Sequence, residues 1–396
     1  MMQISPETQL FIREHSSDDV RVLALQAKKY PDIDMPTAIT QIAGRKVAAE
    51  KIPSWWEIEK IWYPKHLSLE QCSSEITARY KARLLQGDSL TDLTGGFGID
   101  CSFLATGFKS ATYVERQEEL CEIAAHNFPV LNLNHINIKN EDGVTYLQAM
   151  SPVDCLFLDP ARRNEHGGKT VAISDCEPNV AELEELLLQK ANRVMIKLSP
   201  MLDLSLALKE LKQTQEVHIL SVNNECKELL ILLGQTSPAE ITIHCVNLFT
   251  KGTQEEQHFV FTREQEQRSQ CTYTDSLGDY LYEPNASLLK AGAFRSIAAA
   301  YPVRKLHPNS HLYTSDTFIE NFPGRIFRIV NQCSFNKKEV KENLADLKKA
   351  NVTVRNFPAT VAELRKRLHL TEGGDTYLFA STLNNGQKVL IRCEKV

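Results

Sequence analysis

The most constraining feature of this sequence is a glycine-rich turn after a short apolar stretch, within residues 89–100 (SLTDLTGGFGID). The pattern predicts a strand that ends in an acid, Asp92, then a tight turn, then a helix. Gly95, Gly96 and Gly98 lack the Cβ atoms that would hold a ligand away from the backbone, and glycine readily takes the positive φ of a tight turn. The turn is therefore suited to a ligand that lies directly against the backbone.

The acids around this turn restrict the kind of ligand. A dinucleotide-binding turn has the spacing Gly-x-Gly-x-x-Gly and places a pyrophosphate at the N-terminus of the next helix. Here the glycines are adjacent or two residues apart, and Asp92 and Asp100 flank them. Because carboxylates repel a pyrophosphate and attract a cation, we expect a ligand with an ammonium or sulfonium group. S-adenosylmethionine is such a ligand.

Three further predicted strands also end in acids. Residues 110–115 end in Glu115, 23 residues after Asp92, a spacing typical of an acid that accepts hydrogen bonds from ribose hydroxyls. Residues 136–143 end in Asp142 and Gly143, where a carboxylate can accept from an adenine amino group. Residues 153–159 form an apolar strand that ends in Asp159. The pattern predicts a doubly wound, mostly parallel α/β sheet with carboxylates gathered at one edge.

With these four acid-tipped strands, the chain resembles the class I S-adenosylmethionine-dependent methyltransferases. The resemblance implies a Rossmann-like sheet with the cofactor along the carboxyl ends of its strands. It also implies that Asp92 lies near the methionine amino group and that Glu115 holds the ribose. Asp and Gly are also ordinary turn residues, so each position taken alone has a structural alternative. The full expected cofactor-binding set is Asp92, Thr94, Gly95, Gly96, Phe97, Gly98, Asp100, Glu115, Arg116, Asp142 and Gly143.

The strand end at Asp159-Pro160 corresponds to the catalytic motif IV of these enzymes. Amino-directed nucleobase methyltransferases usually follow the acid with Pro-Pro and an aromatic residue, whereas this chain has Ala161 and Arg162. We expect Asp159, Pro160 and Arg162 to act in catalysis, with Asp159 orienting an amine or ring nitrogen for direct displacement. Arg162 has a structural alternative, since it could simply pair with a nearby carboxylate.

A covalent mechanism is disfavoured because it needs a thiolate nucleophile at the strand tips. Cys155 lies inside its strand, and the tip after residues 193–198 reads Ser199-Pro200. Basic and polar residues near the same edge are expected to contact the substrate: Arg163, Lys197 and Ser199.

Four regions are predicted along the chain. A helical N-terminal region spans 1–87 and the methyltransferase domain spans 88–235. A small α+β, ferredoxin-like region covers 236–323, and a basic THUMP-like domain covers 324–396. Within the second region, strands 216–222 and 227–233 are joined by only four residues, so they must be antiparallel. Helices are predicted over 288–299 and 337–349.

The C-terminal region differs in charge from the rest of the chain. From Gly324 onward there are 14 Lys and Arg against 7 Asp and Glu, a net of +7, while the remainder has 31 against 43, a net of −12. The arrangement is similar to the THUMP-like domain at the C-terminus of one bacterial methyltransferase family. That resemblance implies an RNA substrate, tRNA or rRNA, although basic helix faces are often only solvated. The residues expected to contact phosphates are Lys348, Lys349, Arg355, Arg365 and Arg367.

Composition limits the remaining classes. No run of about eighteen apolar residues is present, and the N-terminus lacks the pattern of a secretory signal, so we expect a cytoplasmic protein that does not bind membranes. The ten cysteines are scattered, which favours packed thiols and predicts neither disulfides nor a metal site. Two alternatives to an RNA methyltransferase stay open: a methyltransferase acting on a small molecule or protein, and a noncatalytic RNA-binding protein with a vestigial cofactor pocket.

Overall fold

The computed structural model describes residues 4–162, 172–236, 238–252 and 254–396, with only the backbone of Arg162. The chain divides into two compact units. The first contains the chain up to Gln215 together with Leu230–Pro238, and the second contains Glu216–Leu229 together with Ala239–Val396. The finer division into four domains stays a prediction.

The N-terminal part of the first unit is helical, as its capping residues and apolar spacing predict. Ser5, Asp19 and Asp34 begin the first three helices, each with a side-chain oxygen that accepts a backbone N–H two or three residues onward. The helices of this region are α1 (Pro6–Glu14), α2 (Val20–Leu25), α3 (Met35–Lys51), α4 (Pro53–Trp56), α5 (His66–Gln71) and α6 (Glu75–Ala82).

Alternating strands and helices follow. The strands are β1 (Ser89–Asp92), β2 (Ser110–Glu115), β3 (Ile136–Asn140), β4 (Val153–Leu158), β5 (Ala161–Arg162), β6 (Cys176–Glu177), β7 (Ala191–Leu198), β8 (Thr214–Val222), β9 (Glu225–Gly234), β10 (Thr242–Leu248) and β11 (Glu256–Thr262). The helices are α7 (Ile99–Ala105), α8 (Glu118–Val130), α9 (Gly143–Ala149), α10 (Val180–Lys190), α11 (Leu204–Glu210) and α12 (Arg263–Arg268).

Nine of these strands form one sheet in the order β11-β10-β8-β9-β7-β4-β1-β2-β3. The strands β3, β2, β1, β4 and β7 are all parallel, which confirms the predicted α/β fold class. Asn223 and Asn224 join β8 to β9 with φ of 50° and 68°, the backbone of a two-residue hairpin turn. That turn makes β8 and β9 antiparallel, as predicted.

A buried cluster joins the N-terminal helices to the parallel sheet's own helices. Ile52 and Trp55 pack in it with Phe97, Ile99 and Ile123, all at most 4% exposed. Burying several large side chains in one cluster stabilises the unit by roughly 1.5–3 kcal/mol for each side chain removed from water. The helical region is therefore part of the same folded unit as the glycine-rich turn.

The second unit carries a seven-stranded sheet in the order β13-β14-β12-β15-β18-β17-β16. Its strands are β12 (Tyr280–Pro284), β13 (Arg304–Lys305), β14 (Tyr313–Ser315), β15 (Gly324–Ser334), β16 (Asn351–Val354), β17 (Thr376–Thr382) and β18 (Lys388–Lys395). Its helices are α13 (Ala286–Ala291), α14 (Ser296–Ala300), α15 (Lys337–Leu344) and α16 (Val361–Leu368).

Two predicted helices are shorter than expected. The helix predicted over 288–299 is interrupted because Gly292 takes φ +76° and caps α13, after which α14 begins at Ser296. The helix predicted over 337–349 ends at Leu344. Leu347 lies beyond this helix and is not helical, but it packs in the same core cluster as Leu344. Its burial explains why the apolar spacing extends past the end of the helix. No helix in the described ranges is long and apolar enough to cross a bilayer.

Candidate functional site

The parallel strands of the first unit bring the predicted acids to one edge. Asp92 and Glu115 are the last residues of β1 and β2, and Asp159 directly follows β4. Lys197 lies one residue before the end of β7. Because parallel strands end on the same side of a sheet, these four side chains converge, as the sequence predicted.

The glycine-rich turn packs against the side chain of Tyr113 on β2. Tyr113 on β2 donates a hydrogen bond from its hydroxyl to the carbonyl oxygen of Gly96 at 2.5 Å. A Cβ atom at Gly95 would lie 2.3 Å from the buried ring of Tyr113, whereas at Gly96 it would meet nothing closer than the Thr94 oxygen at 3.8 Å. Gly96 and Gly98 have φ of 53° and 85°, which glycine adopts most easily. Packing thus demands glycine at 95, and the backbone at 96 faces open space.

Asp92 is a buried carboxylate with one unused oxygen. Its Oδ1 accepts the Thr94 N–H at 3.0 Å, and its Oδ2 has no hydrogen-bond partner among the described residues. Burial raises the pKa of Asp92 well above its ordinary value, and the nearby carboxylates of Asp100, Asp159 and Glu115 raise it further. An unpaired buried acceptor is costly, so a cationic ligand would relieve this site.

Glu115 connects the end of β2 to the glycine-rich turn. Its Oε2 accepts the Gly96 N–H at 2.8 Å and its Oε1 accepts the Gln117 N–H at 2.9 Å. Each carboxylate oxygen has a second lone pair, so both oxygens can still accept from a ligand hydroxyl. Glu115 therefore fixes the turn as well as lining the edge of the sheet.

Asp100 is the centre of a buried polar network. It accepts from the Ser73 hydroxyl at 2.7 Å, and the ammonium groups of Lys81 and Lys197 lie 3.0 and 3.5 Å from its oxygens. Burial opposes ionisation of Asp100, but the two ammonium groups and the Ser73 hydrogen bond outweigh it and hold its pKa below the ordinary value. Asp100 is thus an ionised acid with internal partners, unlike Asp92.

Asp159 shares Lys197 with that network. Lys197 Nζ donates to Asp159 Oδ2 at 2.5 Å, and the Asp159 N–H donates to Thr94 Oγ1 at 2.6 Å. Burial raises the pKa of Asp159, while the Lys197 ammonium partly offsets the rise. The side chain of Asp159 is still 35% exposed, so a substrate atom can reach it.

The short strand β5 follows Asp159 and Pro160 and pairs with β6. Pro160 is buried, and Ala161 and Arg162 of β5 pair with Glu177 and Cys176 of β6. The predicted site residue Arg163 and the side chain of Arg162 lie outside the described residues. Their catalytic and substrate-binding roles stay predictions.

Four residues predicted to bind the cofactor have structural partners in the protein. The Asp142 Oδ1 caps α9 by accepting the N–H of Val144 and of Thr145, both at 3.0 Å. A Cβ at Gly143 would lie 2.2 Å from the Leu93 oxygen. The ring of Phe97 packs edge-on to Trp55 with centroids 5.2 Å apart.

The fourth is Arg116, an exposed residue that forms an ion pair with Glu177 at 3.3 Å. Ser199, expected to contact the substrate, caps the turn after β7 by accepting the Met201 N–H at 3.3 Å. These contacts give each residue a reason to be present without a ligand, and they leave the predicted binding roles untested.

Sequence reasoning missed Ser73, Lys81 and Tyr113. Lys81 is fully buried on α6, within the region that the sequence predicted only as helical. A lysine on the same helical face as Ala78, which is also fully buried, was the available signal. Nothing in the local sequence pairs Lys81 with Asp100, because that contact depends on how α6 packs against α7.

The predicted phosphate-binding residues of the second unit fall into two groups. Arg355 pairs with the buried Glu283 at 2.9 Å, Arg365 pairs with Glu372 at 3.1 Å, and the Arg367 guanidinium lies 4.0 Å from the ring centre of Phe335. Lys348 and Lys349 are exposed. The two lysines are therefore the more available cations of the set.

Known proteins and domain families resemble this chain, one of them over its full length. A family described as a ferredoxin-like domain matches residues 280–323, and one described as THUMP domain-like matches residues 324–395. The crystal structure of a protein from Porphyromonas gingivalis W83, provisionally assigned as a methyltransferase, is 34% identical, with a TM-score of 0.88 and 100% of each chain covered. No curated protein matches the chain.

Other solved structures overlap the chain in part. A provisionally assigned methyltransferase of Streptococcus mutans in complex with S-adenosylhomocysteine covers 40% of this chain and 96% of its own, at 13% identity and a TM-score of 0.30. An rRNA methylase of Streptococcus thermophilus covers 40% and 93%, at 14% identity and a TM-score of 0.29. Similarities this low carry no conclusion about the present chain.

Proposed function

Because this chain belongs to the family of bacterial class I S-adenosylmethionine-dependent methyltransferases with a C-terminal THUMP-like domain, we propose that it methylates RNA at a base nitrogen. The observation that carries the cofactor assignment is Asp92, a buried carboxylate with one oxygen that no described residue hydrogen-bonds, beside a glycine turn whose Gly96 is not crowded by any described side chain. A ligand with a positive charge and a flat, hydroxyl-bearing portion suits both features.

The residues present fit S-adenosylmethionine, which supplies an electrophilic methyl group when bound. Asp92 would accept from its ammonium group, and the Gly96 backbone would leave room for it. Glu115 would accept from the ribose hydroxyls with the lone pairs that the Gly96 and Gln117 N–H groups do not use. The P. gingivalis relative, which matches this chain over the whole of both chains and is provisionally assigned as a methyltransferase, supports this assignment.

Asp159 and Lys197 would act on the substrate. A carboxylate at a strand tip that is one-third exposed can accept a hydrogen bond from an amine or ring N–H and so orient its nitrogen. Lys197 holds the carboxylate in place by donating a hydrogen bond to it, and its ammonium favours the ionised form of Asp159. Fixing a nucleophile in line with its target contributes about 7–11 kcal/mol in intramolecular models, so orientation alone supplies much of the expected rate.

The charge distribution favours RNA over a small molecule or protein as the substrate. The region from Gly324 onward carries a net charge of +7 on a chain whose remainder carries −12. Phosphate backbones are bound chiefly by such basic surfaces. The match of residues 324–395 to the THUMP domain-like family adds support from an independent direction.

The direct test is mass spectrometry of nucleosides from the RNA of a strain that lacks the gene. The proposal predicts that one methylated nucleoside disappears and that the wild-type gene restores it. An Asp159→Ala gene, expressed at the same level, should not restore it. If the RNA nucleosides are unchanged while a methylated protein or metabolite is lost, the small-molecule or protein alternative is correct.

The same strains separate catalysis from simple RNA binding. A noncatalytic protein with a vestigial pocket would support growth equally well with Glu115→Ala or Asp159→Ala. Purified protein incubated with labelled S-adenosylmethionine and total RNA from the deletion strain should transfer label only when the site is intact. Absence of transfer together with full complementation by both variants would refute the enzymatic proposal.

A further inference from the structure

A cluster of imidazole and carboxylate groups lies on β8, β10 and β11, among residues that belong to the second unit. Glu216 and His218 are two residues apart on β8, so their side chains lie on one face of the strand. β10 runs parallel to β8 with His244 directly opposite His218. His258 lies on the antiparallel neighbour β11, opposite Val246. Strand register therefore brings together four residues that are far apart in sequence.

The distances within this cluster are those of a ligand set. Glu216 Oε2 and His218 Nε2 are 3.3 Å apart, and His244 Nδ1 and His258 Nε2 are 3.1 Å apart. One ligand atom from each of Glu216, His218 and His244 lies within 4.8 Å of the other two. Ligand atoms bound tetrahedrally to zinc at 2.0–2.1 Å are about 3.3 Å from one another. Rotation of the side chains would close the remaining difference.

We propose that Glu216, His218 and His244 bind a divalent transition-metal ion, with His258 or water as the fourth ligand. Imidazole nitrogens with one carboxylate are a donor set that suits zinc and its first-row neighbours and does not suit magnesium or calcium. The proposed site uses none of the residues assigned to methyl transfer, and it does not depend on the proposed RNA methylation.

The stacking of the His218 and His244 rings determines which side chain must move when a metal ion binds. The rings of His218 and His244 are stacked, with centroids 4.2 Å apart and planes inclined by 7°. Because imidazole lone pairs lie in the ring plane, two parallel rings cannot both point at one ion. The half-buried His244 can rotate about its Cβ–Cγ bond, whose torsional preferences are broad, while His218 is 3% exposed and fixed. Metal binding should therefore break this ring stack.

The test uses the full-length protein, stripped with a chelator and titrated with Co²⁺ and then Zn²⁺. One equivalent of Co²⁺ should produce the visible absorption of a tetrahedral nitrogen and oxygen site, without the near-ultraviolet band of cysteine ligation, and Zn²⁺ should displace it. His244→Gln and Glu216→Gln should each weaken Co²⁺ binding at least about tenfold, since each removes a ligand.

A matched control is available in the first unit. His126 is also half-buried and ring-stacked, on Trp62 with centroids 3.7 Å apart, so His126→Gln should leave Co²⁺ binding unchanged. Absence of saturable Co²⁺ or Zn²⁺ binding by the wild-type protein would overturn the proposal. So would equal affinity in wild type, His244→Gln and Glu216→Gln, which would locate the bound ion elsewhere, for example at cysteines.

Discussion

At the scale of single residues, the four carboxylates at the sheet edge are not equivalent. Asp100 lies beside two lysines and Asp159 beside one. Glu115 accepts two backbone N–H groups, and one oxygen of Asp92 has no hydrogen-bond partner in the part of the chain that the structure describes. Residue type and spacing predicted that Asp92, Glu115 and Asp159 would meet at this edge and that Asp100 would lie beside the glycine-rich turn. Their internal partners could not be predicted, because Lys81 comes from a helix whose packing the local sequence does not specify.

Because their partners differ, we expect Asp159 to act in methyl transfer and Asp92 to act in cofactor binding, so that the two roles can be separated by substitution. Asp159→Ala should reduce methyl transfer by about 10²–10⁴-fold, since it removes the group that orients the substrate nitrogen. Binding of S-adenosylmethionine should change little, because Asp92 and the glycine turn are untouched. Initial rates with saturating cofactor and a calorimetric titration of the same preparation measure the two quantities.

Asp154→Ala is the control for that variant. Asp154 is another acid of the same strand, but it accepts hydrogen bonds from Asp88 and Ser89 at the opposite end of β4. It should retain transfer, apart from any loss of stability. An Asp159→Ala protein that fails to bind the cofactor would contradict the proposed division of roles.

At the scale of elements, the glycine-rich turn offers two neighbouring positions with different constraints. Gly95→Ala should lower the free energy of unfolding by about 1–3 kcal/mol because its methyl group would overlap the Tyr113 ring. Gly96→Ala has space, and its positive φ should cost only about 1–2 kcal/mol. Its methyl group would, however, occupy the space proposed for the cofactor.

Urea unfolding and cofactor titration of both variants check this pair. Gly96→Ala should lose more cofactor affinity per unit of lost stability than Gly95→Ala does. Equal cofactor affinity in wild type and Gly96→Ala would mean that the ligand does not lie over this turn.

The contact between α6 and α7 gives a second prediction for elements. Lys81→Met should lower the free energy of unfolding by about 3–5 kcal/mol, because it leaves the buried Asp100 short of one counter-charge. The double variant Lys81→Met/Asp100→Leu should recover part of that loss, since neither charge then remains unpaired.

Chemical denaturation of the four proteins in this cycle measures the coupling. Lys109→Met is a matched control, because the Lys109 ion pair with Asp88 is exposed, and it should leave stability nearly unchanged. A Lys81→Met protein as stable as wild type would show that the buried pair is not formed.

Across the chain as a whole, the fold class could be predicted because four successive strands each combine an apolar run with an acid at or just after the strand end, whereas the order of the nine strands could not. The lengths of α13 and α15 could not be predicted, because the backbone of Gly292 ends α13 and because Leu347, which is buried with Leu344, extends the apolar spacing beyond the end of α15. The histidine cluster on β8, β10 and β11 was missed for a similar reason. Its members share a register and no local motif.

The sheet of the second unit changes how the basic region should be tested. β15 begins at Gly324 and pairs with β12 over Tyr280–Pro284, so a truncation at 324 would leave β12 without that neighbour. We therefore base the prediction on charge-reversal substitutions and not on a truncation. Lys348→Glu with Lys349→Glu should weaken RNA binding and reduce the slope of log affinity against log salt by roughly 0.7 per lost phosphate contact.

Binding of deletion-strain RNA at several salt concentrations measures this effect. Lys28→Glu with Lys29→Glu, a pair of adjacent exposed lysines near the N-terminus, is the matched control and should leave the slope unchanged. Equal slopes for both double variants would argue against phosphate contacts at Lys348 and Lys349.

If the acidic edge of the first unit binds a cationic methyl donor, calorimetric titration of the full chain with S-adenosylmethionine should show saturable binding. Because the pKa of Asp92 is raised in the free protein and a bound cation would lower it, binding should release protons and strengthen as pH rises. Asp92→Asn should lose both the affinity and the proton release. Absence of binding heat, or preferential binding of a dinucleotide such as NAD, would show that the acidic edge does not bind S-adenosylmethionine.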